Sequence, residues 1–321
     1  GFTFLSAFLL AWVALSPSFL SIAIASLALG LGTTTPQLII PFAAHLAPAN
    51  QRGRVVGTMM SGLLLGILLA RTVAGFIGAA FGWRAMFGMA AVVVLLVTVL
   101  LAIFIPKSEP TFHGKYSGLI RSVGEIFRSE PVLRESSFFG AMLFGAFSAF
   151  WANLIHLMET PAFNLGARAV GLFGLLGAAA ALATPWVGAL TDRRDARTGS
   201  GIMIIVTIIS FLIYLVSAQS LVGLAIGVIV MDIGVQSGHI CNQSRIFSLL
   251  PEARSRIQTA YMFCYFLGGA LGSLLGTWSW GAFHWSGVCL SAILLLLLAL
   301  GRFIVKPRPS QKGAQVPLSS T

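Results

Sequence analysis

Charge is scarce in this 321-residue chain. Only 9% of residues are Asp, Glu, Lys or Arg, against 57% hydrophobic ones. A soluble domain carries about a quarter charged residues, so an ordinary soluble globule is excluded. Acidic residues are the rarest charged class, 9 against 20 basic ones. Cysteine is nearly absent, and Cys241, Cys264 and Cys289 lie singly in apolar runs. That excludes a disulfide scaffold and leaves small packing residues. Catalytic signatures are missing too. No Ser/His/Asp motif, H-E-x-x-H, C-x-x-C or phosphate loop occurs. The chain is not expected to be an enzyme, and no cofactor or metal is expected.

Long apolar runs fill the chain instead. Ten are of helical length, at about 1–16, 19–46, 55–80, 84–106, 136–158, 168–190, 200–217, 220–246, 257–281 and 285–305. Each suits a membrane helix of about 20 residues and is far longer than a barrel strand needs. An all-α polytopic membrane protein follows.

The formal charge of +11 reads as orientation rather than nucleic-acid affinity. If the chain starts on the cytoplasmic side, the cytoplasmic connections hold Arg52, Arg54, Lys107, Lys115, Arg121, Arg128, Arg134, Arg193, Arg194, Arg197, Arg245, Arg254, Arg256, Arg302, Lys306, Arg308 and Lys312, which is 17 of the 20 basic residues. Positive charge retains loops on that side. Both ends of the chain are therefore expected in the cytoplasm.

The longest loop divides the chain. Residues 1–106 form one bundle of four runs, 107–135 a cytoplasmic linker, 136–306 a bundle of six, and 307–321 a polar tail expected to be disordered. Within the linker Leu119, Ile120, Val123, Ile126 and Phe127 recur at helical spacing. They predict an amphipathic helix on the inner membrane surface.

The two bundles match at one offset of 202 residues. Arg52 and Arg54 fall on Arg254 and Arg256, Gly66 on Gly268, Trp83 on Trp285, and Gly30 and Gly32 on Asp232 and Gly234. At that offset the first bundle lacks the counterpart of two spans. The expectation is a twelve-helix design missing its first two helices. A decayed, inactive copy or a non-transporting membrane sensor stays open beside it.

Parallel repeats of this kind build major facilitator transporters. Gly188-Ala-Leu-Thr-Asp192-Arg193-Arg194-Asp195-Ala-Arg197 resembles the loop signature of that superfamily, with Asp195 where the family has Gly. Gly62-x-x-x-Gly66, Gly75 and Gly82-Trp83-Arg84 resemble its fifth-helix antiporter signature, with Ala70-Arg71 replacing Gly-Pro. The fourth-helix signature matches only at Gly30 and Gly32. Its arginine, tied to proton coupling, is Ser26 here. The chain thus resembles the drug–proton antiporter-like and sugar efflux permease-like members. The resemblance implies a major facilitator fold with ten of the usual twelve transmembrane helices in two pseudo-repeated bundles. It implies proton-coupled efflux of a small organic solute, drug or sugar-like, by a monomer in a bacterial inner membrane.

Few polar side chains interrupt the spans. Asp232 lies about eleven residues into its run, near the bilayer midplane, where a carboxylate is costly unless it meets water or a partner. Gln236, His239 and Gln243 follow on one stripe, with Asn242 adjacent. They read as a substrate-facing wall with a proton or cation carrier, or as a hydrogen-bond network that packs helices. The repeat sets Thr34 and Gln37 opposite Gln236 and His239. On the seventh-helix equivalent, Trp151 could stack a solute and Asn153 adds polarity, or both simply pack. Arg71 sits inside a span, as an anion site, a gate pair or a snorkelling side chain. Asp192, Arg193, Arg194 and Arg197 read as an inner latch, with Arg245 as a partner for Asp192, or as topology signals only. Gly62, Gly66, Gly75, Gly268 and Gly272 read as sites of close helix contact.

Overall fold

The computed structural model describes residues 2–32, 52–104, 116–177, 195–249 and 253–305. Among them the regular structure is helical throughout. The helices are α1 Phe2–Leu15, α2 Phe19–Gly32, α3 Arg52–Phe81, α4 Trp83–Phe104, α5 Tyr116–Ser129, α6 Pro131–Met158, α7 Ala167–Gly177, α8 Ala196–Val216, α9 Leu221–Phe247 and α10 Arg254–Ile304. Helices α4, α6, α8, α9 and α10 are long and apolar enough to cross a membrane. The all-α membrane reading therefore holds.

The 51-residue run α10 contains two helical arms that meet at His284, which has φ 51° and ψ −142°. The sequence reading set its last two spans apart at this point. A positive φ is rare for a side chain of this size and is held only by its surroundings. Trp285, the next residue, is buried and donates from Nε1 to the Tyr214 carbonyl at 3.1 Å.

Two compact units divide the described helices. The first holds α1–α4 and α7. There Gly82, at φ +82°, turns the chain from α3 into α4, a conformation glycine adopts without steric cost. Arg84, two residues on, donates to the Ser16 carbonyl at 3.2 Å and lies 4.3 Å over the Trp83 ring. The start of α4 is thereby tied to the end of α1. Gly75 meets α7, where an added Cβ would stand 2.8 Å from the Ala167 carbonyl, and Thr72 donates to the Gly171 carbonyl at 3.2 Å.

The second unit holds α5, α6 and α8–α10. Glycines let its helices close. A Cβ at Gly268 or Gly272 would run into the backbone of Ala141 or Gly145, so α6 and α10 cross with their main chains in contact. Without a hydrophobic drive between helices in lipid, such close packing supplies the attraction. Helix α9 meets α8 in the same way, with Gly227 on the Tyr214 ring and Gly234 on Thr207. The expected amphipathic helix is α5. Its Val123, Ile126 and Phe127 pack on a protein core that includes Leu133, Ile246, Ile257 and Tyr261. Its apolar face is therefore covered by protein to that extent, rather than by lipid alone.

Candidate functional site

Helix α9 carries Asp232 to the middle of the second unit. The residue is buried, with 2% of its surface exposed. Gln236, His239 and Gln243 follow on the same side and are half-buried. The 3.6-residue period lines them up. Tyr214 of α8 and Tyr265 of α10 both lie within electrostatic range of Asp232.

Aromatic rings continue the wall. Trp151 and Phe147 of α6 have ring centroids 6.1 Å apart, and Phe147 stacks on Phe144 at 5.7 Å. Phe144 stacks on Tyr265 at 4.1 Å, and Tyr265 lies 4.7 Å from the His239 ring. The row runs from α6 across α10 to α9. Phe144, Phe147 and Trp151 stand at i, i+3 and i+7, so one face of α6 presents all three. Tyr261 completes the row, with its hydroxyl 3.0 Å from His239 Nδ1.

Two expected wall residues have other surroundings. Asn153 is fully buried, donates to the Ala149 carbonyl at 2.9 Å, and faces Gly276 at the α6–α10 crossing. Asn242 is also fully buried and accepts from Ser200 of α8 at 2.9 Å. Gly62 and Gly66 have no described atom within 4 Å of an added Cβ, whereas Gly75, Gly268 and Gly272 sit at close contacts. Thr34, Gln37, Gly188, Asp192, Arg193 and Arg194 lie outside the described residues, as does the side chain of Arg71.

A second polar cluster joins the starts of α6 and α8 to the ends of α9 and α10. Its centre is Glu135, in the first turns of α6, with a side chain 1% exposed. Arg197 of α8 grips it with a two-pronged fork, Nε to Oε2 at 3.1 Å and Nη2 to Oε1 at 3.2 Å. Arg245 of α9 donates to Oε2 at 2.6 Å, and Arg302 of α10 lies 3.4 Å from Oε1. Arg197 also donates to the Phe303 carbonyl at 2.7 Å, and Arg302 to the Val305 carbonyl at 2.8 Å. The final carbonyls of α10 have no helical partners of their own, so these donors cap it.

Sequence reasoning passed over Glu135, Phe144, Phe147, Tyr261 and Tyr265. Signals were present for each. Glu135 is one of nine acids and begins a span. Three aromatic residues share a face of α6, and the two tyrosines stand at i and i+4.

The sequence and fold have relatives. The family model of the Major Facilitator Superfamily matches residues 1–273 and 162–320. The chain is 38% identical to "Putative uncharacterized transporter YgaY" of Escherichia coli (strain K12), over 84% of this chain and 69% of that protein. It is 32% identical to "Probable transporter SCO4007" of Streptomyces coelicolor, over 86% of this chain and 64% of the other. It thus spans about two thirds of the length of these relatives. A crystal structure of a bacterial homolog of the human lysosomal transporter Spinster, inward-facing and unoccupied, shares the fold. Its TM-score is 0.68 at 16% identity, over 94% of this chain and 80% of that one.

Proposed function

The chain belongs to the Major Facilitator Superfamily, a family of membrane transporters and not of enzymes, and from that premise we propose proton-coupled efflux of a small organic solute by alternating access. The solute is drug-like or sugar-like. The observation that carries this reading is Asp232, a carboxylate with 2% exposure in the middle of a spanning helix. An ionised carboxylate at that depth is costly. Taking up a proton removes the cost, so the state of the site follows the proton supply on whichever side it opens.

The aromatic row from Trp151 to Tyr265 gives a planar or apolar solute faces to stack on. Gln236 and Gln243 add amide donors and acceptors on the same stripe. Thr34, Gln37 and Arg71 belong to the proposed pathway from the first bundle. Glu135 with Arg197, Arg245 and Arg302 ties the inner ends of α6, α8, α9 and α10, so we assign it to keeping that unit rigid while it rocks. The loop residues Gly188, Asp192, Arg193 and Arg194 are assigned to the inner latch.

We place the protein in a bacterial inner membrane as a monomer, with both ends of this chain cytoplasmic. The distribution of basic residues supports that orientation.

Reconstitution tests the function. Proteoliposomes are loaded with rhodamine 6G, a planar fluorescent cation carrying an ester carbonyl. An imposed pH gradient is expected to drive dye movement that stops when an ionophore collapses the gradient. Dye movement indifferent to the gradient would rule out proton coupling.

A further inference from the structure

His239 is the one imidazole on the Asp232 stripe, and the direction of its bond to Tyr261 decides what it can do. The hydrogen bond at one ring nitrogen sets which tautomer is present. Tyr261 is fully buried, so its hydroxyl hydrogen requires an acceptor. His239 Nδ1 is 3.0 Å away. Among the described residues the other polar side chain beside the hydroxyl is Asn242, whose Oδ1 already accepts from Ser200 at 2.9 Å. The Tyr261 hydrogen therefore points to Nδ1, and the neutral ring carries its own hydrogen on Nε2.

We propose that Tyr261 fixes His239 as the Nε2–H tautomer, so that His239 serves the site as a hydrogen-bond donor to the solute and not as a proton carrier. The inference rests on the transport site proposed above and deepens it. It names the ligand chemistry as a planar solute with an acceptor oxygen or nitrogen, lying against Phe144 and Tyr265 while Nε2–H reads the acceptor. Tyr261 is a positioning residue, acting through His239. Among the described residues the titratable groups facing the imidazole are Tyr261 and Tyr265 from α10. The aromatic residues of α6 beside them do not titrate. Asp232 is two helical turns away on α9, about 10 Å along the axis.

Two measurements decide the matter. In the first, the chain labelled with 15N-histidine is studied in lipid bilayers by solid-state NMR at pH 8, and His239 is identified by its loss in His239→Gln. A single Nε2–H ring is expected in the wild type, and a mixture of tautomers in Tyr261→Phe. An Nδ1–H ring, or a spectrum that Tyr261→Phe leaves unchanged, overturns the proposal. The second is rhodamine 6G efflux from proteoliposomes. His239→Gln keeps an N–H donor but cannot carry a proton. It is expected to lower the flux yet retain the pH profile, whereas His239→Phe raises KM by about fivefold, the size of one lost hydrogen bond. A His239→Gln chain that loses its pH dependence makes His239 the carrier and also overturns the proposal. An Asp232→Asn chain that keeps its pH profile counts instead against the proposed proton site, and the NMR result still decides the tautomer.

Discussion

Among the described residues of the second unit two buried polar regions stand out, one where the ends of four helices meet and one halfway along α9, and they are built on opposite plans. Glu135 is surrounded by three arginines from three different helices, and two of those arginines also cap the end of α10. Asp232 belongs to a stripe on one helix whose neighbours are half-buried amides, an imidazole and aromatic rings. The first plan fixes positions, because each bond leads to a different element. The second leaves a wall whose polar atoms face a shared side. Burial of a charge is thus a poor guide to function by itself. What surrounds the charge, arginines in one case and uncharged polar and aromatic side chains in the other, separates a staple from a site.

The largest effect should come from the staple. Glu135→Ala leaves Arg197 and Arg245 without their carboxylate, and removing one partner of a buried ion pair costs about 3–5 kcal/mol. Thermal unfolding in detergent is expected to show that loss. Asp232→Asn keeps side-chain shape and removes a charge from the membrane interior, so its stability should stay within about 1 kcal/mol of the wild type. Equal losses for both variants would erase the distinction between the two regions.

Next comes the wall. Phe144→Leu removes the ring stacked on Tyr265, worth about 0.5–1.5 kcal/mol for an aromatic pair. A rise of about three- to tenfold in KM for rhodamine 6G is expected, with the pH profile unchanged. A changed pH profile would tie proton movement to the aromatic row. The smallest effect is expected at the edge of the staple. The Arg302 side chain is 36% exposed, against 8% for Arg245, so Arg302→Gln should cost less than about 1 kcal/mol. An Arg302→Gln loss matching that of Glu135→Ala would mean that the exposed arm holds the cluster together.

Helices were legible in the sequence because each span writes itself as one long apolar run. The described α4, α6, α8 and α9 and the two arms of α10 follow the runs within a few residues. Asp232 was legible for the same reason, as a charge inside such a run. The staple was not, because its four members come from four distant segments, and only folding brings Glu135 to Arg197, 62 residues on, and to Arg245, 110 residues on. Tyr261 and Tyr265 were hidden differently. In an apolar helix a tyrosine looks like packing, and its hydroxyl gains meaning only from the imidazole opposite. Asn153 shows the converse. It is polar and on the right helix, yet it faces Gly276 in the α6–α10 crossing.

The most direct test of the account is the pH profile of rhodamine 6G efflux from proteoliposomes carrying Asp232→Asn. A flat profile, with residual dye exchange at equal pH on both sides, is the predicted result. A profile that keeps the wild-type dependence on the proton gradient would contradict it.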